Sequence, residues 1–382
     1  EQSLSEVAPD LLNFTTQRAR IPAFSTFFEP QSGRCLPTID VFYSKIKVFA
    51  KFGVYYRFLN VRLSDGKFAT YLVDDTSSDE FFKSPFKALY NFNSAIEKFY
   101  ETNRRGALLR IPNIFQLPNL RLVEIGNIAL NKFTDLDEVV KPWINVIFES
   151  LDEFEDVHPF EQVAEFYKLV SDGFSDFDAG SFLKKKYGSN RMENYFLKKY
   201  NDAPNYWQVR KSTANQMAIQ SVLEYGIGWK LFNFRNVLIE HNYGKIWNLN
   251  PIIENIDFEN ISKFKILPFK LDYCLTEFLD LSLDGHFAAT FVAMATCLVE
   301  KKFKNYLRPF YLDIYSKLKY PNEARKLTVG DFAEIEKHLT LFEAKFKYIS
   351  EHPDTVVFEL IAQAQDLENR MKEMQPSELP WI

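Results

Sequence analysis

From Phe332 onward the apolar residues recur at Ile335, Leu339, Phe342, Phe346 and Ile349, in steps of 3, 4, 3, 4 and 3. After the break Ser350-Glu351-His352-Pro353-Asp354, a second series follows at Val357, Leu360, Ala364, Leu367, Met371 and Met374. Steps of three and four keep one stripe on one helix face. Two such stripes joined by a short, proline-containing polar turn predict an antiparallel αα-hairpin. Gly330-Asp331 is read as the opening of the first helix and Asp354 as the N-cap of the second.

Upstream, the same period predicts a stripe of Leu136, Val140, Trp143, Ile147, Leu151 and Phe154, with Pro142 bending or starting that helix. His158-Pro159 opens another helix through Tyr167 and Val170, with proline in the first turn. Helical period also covers 204–225, 229–240, 270–281, 284–300 and 302–319, with Pro309 inside the last. The N-terminal third reads differently. Residues 39–63 mix helix period with β-formers such as Val54-Tyr55-Tyr56, and Ser64-Asp65-Gly66-Lys67 is a turn before the strand-like run Phe68–Val73. A small β-hairpin is expected there. Residues 106–126, with Pro112, Pro118 and Gly126, read as a loop.

These readings give a mainly α fold of stacked helical pairs closed by the C-terminal hairpin. The expected organisation is a Pro-containing arm over 1–38, a mixed region over 39–133, a central helical domain over 134–327, the hairpin over 328–375 and a tail over 376–382. The one internal echo is Phe182-Leu-Lys-Lys and Phe196-Leu-Lys-Lys, and two copies do not make a repeat array.

Composition sharpens the picture. The chain holds 38 Phe, 19 Tyr and 5 Trp against only 13 Gly, which suits helices packed through rings and disfavours glycine-built phosphate or dinucleotide loops. Net charge is −5, so no global field attracts nucleic acid or an acidic membrane. Cys35, Cys274 and Cys297 are too few and too scattered for a disulfide framework, so a reducing, intracellular compartment is expected. The start at Glu1 is consistent with a removed presequence, which makes the mitochondrion one such compartment. The longest apolar run, Phe287–Val299, has 13 residues where a spanning helix needs about 20, so it is read as a buried core helix.

Candidate chemistry is sparse. Nucleophile elbow, P-loop and Cys-x-x-Cys motifs are all absent, and Gly226-Ile227-Gly228 lacks the third glycine of a dinucleotide loop. The closest two of the five histidines are 14 apart, and none keeps metal-ligand spacing with an acid or cysteine. No cofactor is expected. The run Asp74-Asp75-Thr76-Ser77-Ser78-Asp79-Glu80 groups carboxylates that suit Mg²⁺ with phosphate completing its shell. It resembles the aspartate-rich motif of class I terpene synthases. That resemblance implies a helical, Mg²⁺-dependent prenyl-diphosphate enzyme using Asp74, Asp75 and Asp79. The second metal motif has only a distant match in Asp272, Thr276 and Asp280. The plain alternative is a polar turn capping a helix.

The second feature is a basic island. Between Leu183 and Lys211 stand Lys184, Lys185, Lys186, Arg191, Lys198, Lys199, Arg210 and Lys211 against Glu193 and Asp202, so this stretch carries +6 and the remainder −11. Tyr187, Tyr195, Phe196, Tyr200, Tyr206 and Trp207 are interleaved. Cations among rings can hold RNA or anionic lipid; they also describe a solvated helix face whose rings face the core. Three functional expectations follow: a non-enzymatic scaffold or accessory subunit bound to other protein subunits, a Mg²⁺-dependent prenyl-diphosphate enzyme, and an RNA- or anionic-lipid-binding helical protein.

Overall fold

The computed structural model describes residues 2–7, 21–22, 38–51, 54–64, 66, 68–75, 122–125, 128–133, 140–142, 159–187, 190–200, 202–227, 237–240, 244, 246–248, 267–271, 273–279, 285–300, 303–319 and 327–373. The chain divides into two compact units, one of Glu1–Lys83 with Asn119–Val140, the other of Ser84–Pro118 with Lys141–Ile382.

The first unit is an antiparallel sheet. Strands β1 (Gln2–Ser3) and β2 (Ile21–Pro22), with helix α1 (Leu4–Val7) between them, precede β3 (Thr38–Lys51), β4 (Val54–Leu63) and β5 (Phe68–Asp75). β6 (Leu122–Ile125) and β7 (Ile128–Phe133) complete the order β1-β3-β4-β5-β7-β6, with β2 also pairing β3. The hairpin expected around Ser64–Lys67 is present as β4 and β5, with Gly66 at φ +83 in its turn. It is the centre of a sheet of seven strands, larger than the lone hairpin read from the sequence. Period-two alternation explains the register: Leu59, Val61 and Leu63 are buried while Arg62 between them is exposed. Arg62 reaches across to Asp40 on β3 at 2.6 Å. Where described, the proline-containing first 38 residues pair with β3, and Leu4 is fully buried. The expected loop over 106–126 is corrected at its end, since Leu122–Ile125 pairs with β7.

The second unit is helical. It runs through α2 (Pro159–Ser171), α3 (Asp176–Tyr187), α4 (Arg191–Lys199) and α5 (Ala203–Ile227) to α6 (Tyr273–Leu279), α7 (His286–Glu300) and α8 (Lys304–Lys319). α9 (Val329–Glu351), α10 (Pro353–Gln365) and α11 (Leu367–Glu373) follow. Pro159 sits at the first position of α2, where its missing N–H is not needed. The mainly helical class and the stacked pairs stand as read. Two helical assignments are corrected. Val237–Glu240 forms strand β9, not helix, and pairs antiparallel with β10 (Ile246–Asn248). Val140–Pro142 forms β8 on the same small sheet, and the rest of the stripe from Leu136 to Phe154 lies outside the described residues. Gly244 makes the β9–β10 turn possible: its φ is +63, and an added Cβ would lie 2.5 Å from the Val209 carbonyl oxygen.

Among the described residues, rings fill the helical core in three sets. Phe278 stacks on Phe196 at 5.1 Å and meets Tyr206 edge-on; Phe269, Phe287 and Phe291 form a second set; Phe342 lies 4.7 Å from Phe346 and also meets Phe303. Such contacts are each worth about 0.5–1.5 kcal/mol beyond area burial, which gives the aromatic composition its structural use. Gly226 on α5 lets Phe346 approach so closely that a Cβ would sit 2.4 Å from its ring.

The C-terminal hairpin buries Ile335, Leu339, Phe342, Phe346 and Ile349 on α9 and Val357, Leu360 and Ala364 on α10, as the stripes predict. Three details differ. Phe332, first of the stripe, is 47% exposed. The first cap is Thr328, whose side chain and Asp331 form a reciprocal capping box; the second is His352, with Pro353 at the helix start and Asp354 already inside the first turn. Finally, the second helix ends at Asp366, whose Oδ1 accepts the Asn369 N–H and starts α11. Leu367 and Met371 therefore leave the hairpin seam and pack against Phe166, Ala179 and Leu183.

Candidate interaction surface

The acidic run begins at the end of an inner strand of the sheet. Asp74 and Asp75 end β5, opposite Ala129 and Ile128 of β7. Their backbone is extended because the β-forming run Phe68–Val73 is paired on both sides, by β4 and by β7. The helical presentation implied by the terpene-synthase resemblance is corrected at these two positions. Asp79 lies outside the described residues. Among the described residues no cluster of histidine, cysteine and acid side chains could hold a metal ion, and no helix is long and apolar enough to cross a membrane.

The basic island is spread over three helices. Lys184, Lys185 and Lys186 end α3, Arg191 opens α4, Lys198 and Lys199 close α4, and Arg210 and Lys211 lie in α5. Two lysine clusters thus sit at helix C-termini, where cations complement the helix dipole. Lys186 pairs with Glu165 of α2 at 2.5 Å. Burial lowers the Lys184 ammonium pKa, the nearby Arg370 guanidinium adds to the effect, and Glu277 opposes it.

The interleaved rings separate into inner and outer sets. Phe196 is fully buried, Tyr206 is nearly so, and both contact Phe278. The Tyr206 hydroxyl donates to Glu193, and its pKa is pushed up to about 12 by burial and by that carboxylate. Trp207, the next residue, is half exposed. Arg210 places its guanidinium 5.4 Å from the Trp207 ring centre while its Nε donates to the Phe278 carbonyl at 2.5 Å. Lys199 stands 5.9 Å over Tyr195. The sequence named both rings and cations but did not separate the ring that faces solvent from those that face the core.

A second feature escaped the sequence reading. From Ser212 to Glu224, α5 is buried on every side, including Ser212, Thr213, Asn215, Gln216, Gln220, Ser221 and Glu224. Thr290 donates to Asn215, Thr213 to the Gly244 carbonyl, and the Lys270 backbone N–H to Glu224. These bonds tie α5 to α7, to the β9–β10 turn and to the segment before α6. A helix with polar residues at so many positions reads as exposed; here the partners of Thr213, Asn215 and Glu224 come from residues 31 to 75 positions away.

Known proteins can now be set beside this architecture. No family model matches the chain. Among solved structures, the open conformation of CtTel1 superimposes with a TM-score of 0.66 over 97% of this chain and 14% of its own, at 15% identity. A structure described as the FAT and kinase domain of CtTel1 gives 0.63 over 94% of this chain and 25% of its own, at 14% identity. At that identity the likeness shows the fold. Among curated proteins, the human transformation/transcription domain-associated protein is 22% identical over 408 residues, spanning 97% of this chain and 10% of its own length. The mouse protein of that name is 23% identical over 313 residues, 77% of this chain and 12% of its own. The fruit-fly transcription-associated protein 1 is 22% identical over 305 residues, 77% of this chain and 8% of its own. The chain spans about a tenth of the length of these relatives.

Proposed function

We propose that this chain is a scaffold module that works through protein contacts within a transcription-associated assembly in the nucleus. The observation that carries the reading is the similarity over 97% of the chain to a relative named for association with transcription. The nuclear compartment rests on those relatives and takes the place of the mitochondrion considered from the sequence. Exposed rings such as Phe177, Phe182, Tyr348 and Phe358 supply anchors of the type that dominate protein interfaces. The test is endogenous tagging, followed by imaging and native mass spectrometry of the gently purified material. A nuclear signal and a stoichiometric assembly are expected. A mitochondrial signal, or a clean monomer, would sink the proposal.

The kinase part of the CtTel1 neighbour raises phosphoryl transfer as a competing reading. Protein kinases need a catalytic-loop Asp and Asn, a Mg²⁺-binding Asp in Asp-Phe-Gly and a glycine-rich loop over the phosphates. These 382 residues contain neither His-Arg-Asp nor Asp-Phe-Gly, and no Gly-x-Gly-x-x-Gly. The scaffold reading therefore expects no transfer of the ATP γ-phosphate.

A further inference from the structure

Trp207 and Arg210 form a fixed plate on the outside of α5. Half of the Trp207 surface is open to solvent. The guanidinium 5.4 Å from its ring is anchored through the Phe278 carbonyl, so the pair is held from beneath by the ring cluster of Phe196, Tyr206 and Phe278. Lys211 is exposed one turn beyond Trp207, and Lys198 and Lys199 close α4 only three residues before α5 begins. Glu193 accepts the Tyr206 hydroxyl, and Asp202 accepts the Asn205 backbone and side-chain N–H groups.

We propose that this surface binds single-stranded nucleic acid, with a base stacked on Trp207 and the flanking phosphates paired to Lys198, Lys199 and Lys211. Single strands are gripped by the combination of an accessible π-face and a row of cations, and stacking contributes about 1–3 kcal/mol per base. A duplex keeps its base faces covered and cannot use the plate. A membrane is disfavoured by charge: outside the basic stretch the chain carries −11. A flat anionic surface offers phosphates but no base face to stack on Trp207, whereas a single strand supplies both. A peptide of acidic residues alone could meet the lysines but has no ring to stack on Trp207. The scaffold reading plays no part in this inference, and either can fail alone.

The test is fluorescence anisotropy of the full chain with a labelled 15-nucleotide single strand at 50 mM salt. Binding is expected, with log Kd rising against log salt at a slope of about 2 to 3, the release expected for three or four phosphate contacts. Trp207→Ala should weaken binding at least tenfold while leaving the circular dichroism spectrum unchanged. Trp207→Phe should stay within about threefold, since it keeps a ring to stack on. Lys198→Glu with Lys199→Glu should abolish binding and leave the circular dichroism spectrum unchanged, with melting lowered only by the lost complement to the α4 dipole. The proposal is overturned by absence of binding at 50 mM salt, or by equal affinity for duplex, polyphosphate or a poly-glutamate peptide. It is also overturned if Trp207→Ala binds as tightly as the parent.

Discussion

Phe182 and Phe196 begin the same tetrapeptide, Phe-Leu-Lys-Lys, and end in opposite places. On α3 the ring of Phe182 is 44% exposed and Leu183 is buried; on α4 Phe196 is fully buried and Leu197 is 49% exposed. The local sequence is identical, so the helix face that turns inward is chosen by partners elsewhere: Phe166 and Met371 for α3, Phe278 for α4. Ring burial in the basic island was illegible for this reason. Gly226 is a second residue whose meaning is tertiary. Changing it to Ala should gain about 1 kcal/mol of helix propensity. The new Cβ would meet the Phe346 ring at 2.4 Å, however, and that ring is fully buried against Phe342. Overpacking costs about 1–3 kcal/mol, so urea denaturation should show net destabilisation. The clash is local, so Gly226→Ala combined with Phe346→Leu should lose less than the sum of the two single losses. His338 supplies a pH prediction. It is almost fully buried in α9, and burial lowers its pKa; Lys337 adds to that lowering and Glu334 opposes it. Above pH 6.5 both folded and unfolded forms keep it neutral, while below that value the unfolded chain takes up the proton first. Its contribution to stability should fall as pH drops from 6.5 through the lowered folded value. The difference in urea midpoint between the parent and His338→Gln, followed from pH 7.5 to 5, checks this.

Elements with long, regular stripes were legible, and short ones were not. α9 and α10 follow their heptad-like steps over many residues, so their seams could be read directly. The strands Val140–Pro142 and Val237–Glu240 are only three or four residues long, and in runs that short apolar spacing fits a helix as well as a strand. Their identity comes from pairing, which for β9 depends on the positive φ of Gly244 beneath α5. Caps are also set at the scale of the element. Thr328 accepts the Asp331 N–H, and Asp331 accepts both the Thr328 backbone N–H and its hydroxyl. Thr328→Ala should remove this box and cost about 1 kcal/mol. Hydrogen exchange should register the loss first at the amides of Gly330 to Phe332, with the buried centre of α9 changed less.

At the scale of the whole molecule, the helical class could be read from period, while the size of the N-terminal sheet could not. Strands β3 and β5 lie next to β4 along the chain, but β7 comes from more than 50 residues beyond β5, and sheet partners at that distance leave no local mark. Candidate function was still less legible, because no catalytic motif spans the chain. The scaffold reading expects that purified protein with Mg²⁺ and radiolabelled ATP transfers no phosphate to itself or to casein above a no-protein blank. Transfer that tracks the protein through gel filtration would reverse that reading.

The burial of Ser212–Glu224 in α5 on all sides has a consequence during synthesis. Its coverings are α7 and α9, which follow it in the chain, and the last of α9 leaves the ribosome about 120 residues after α5 is complete. At about 5–20 residues per second, α5 waits roughly 6–25 s before it can be enclosed. An all-apolar helix would spend that interval as an aggregation hazard. The serines, threonine and glutamines of α5 keep it compatible with water until Thr290 and Phe346 arrive. Replacing Gln216 and Gln220 with Leu should therefore lower the yield of soluble chain during translation more than it changes the melting of molecules that do fold.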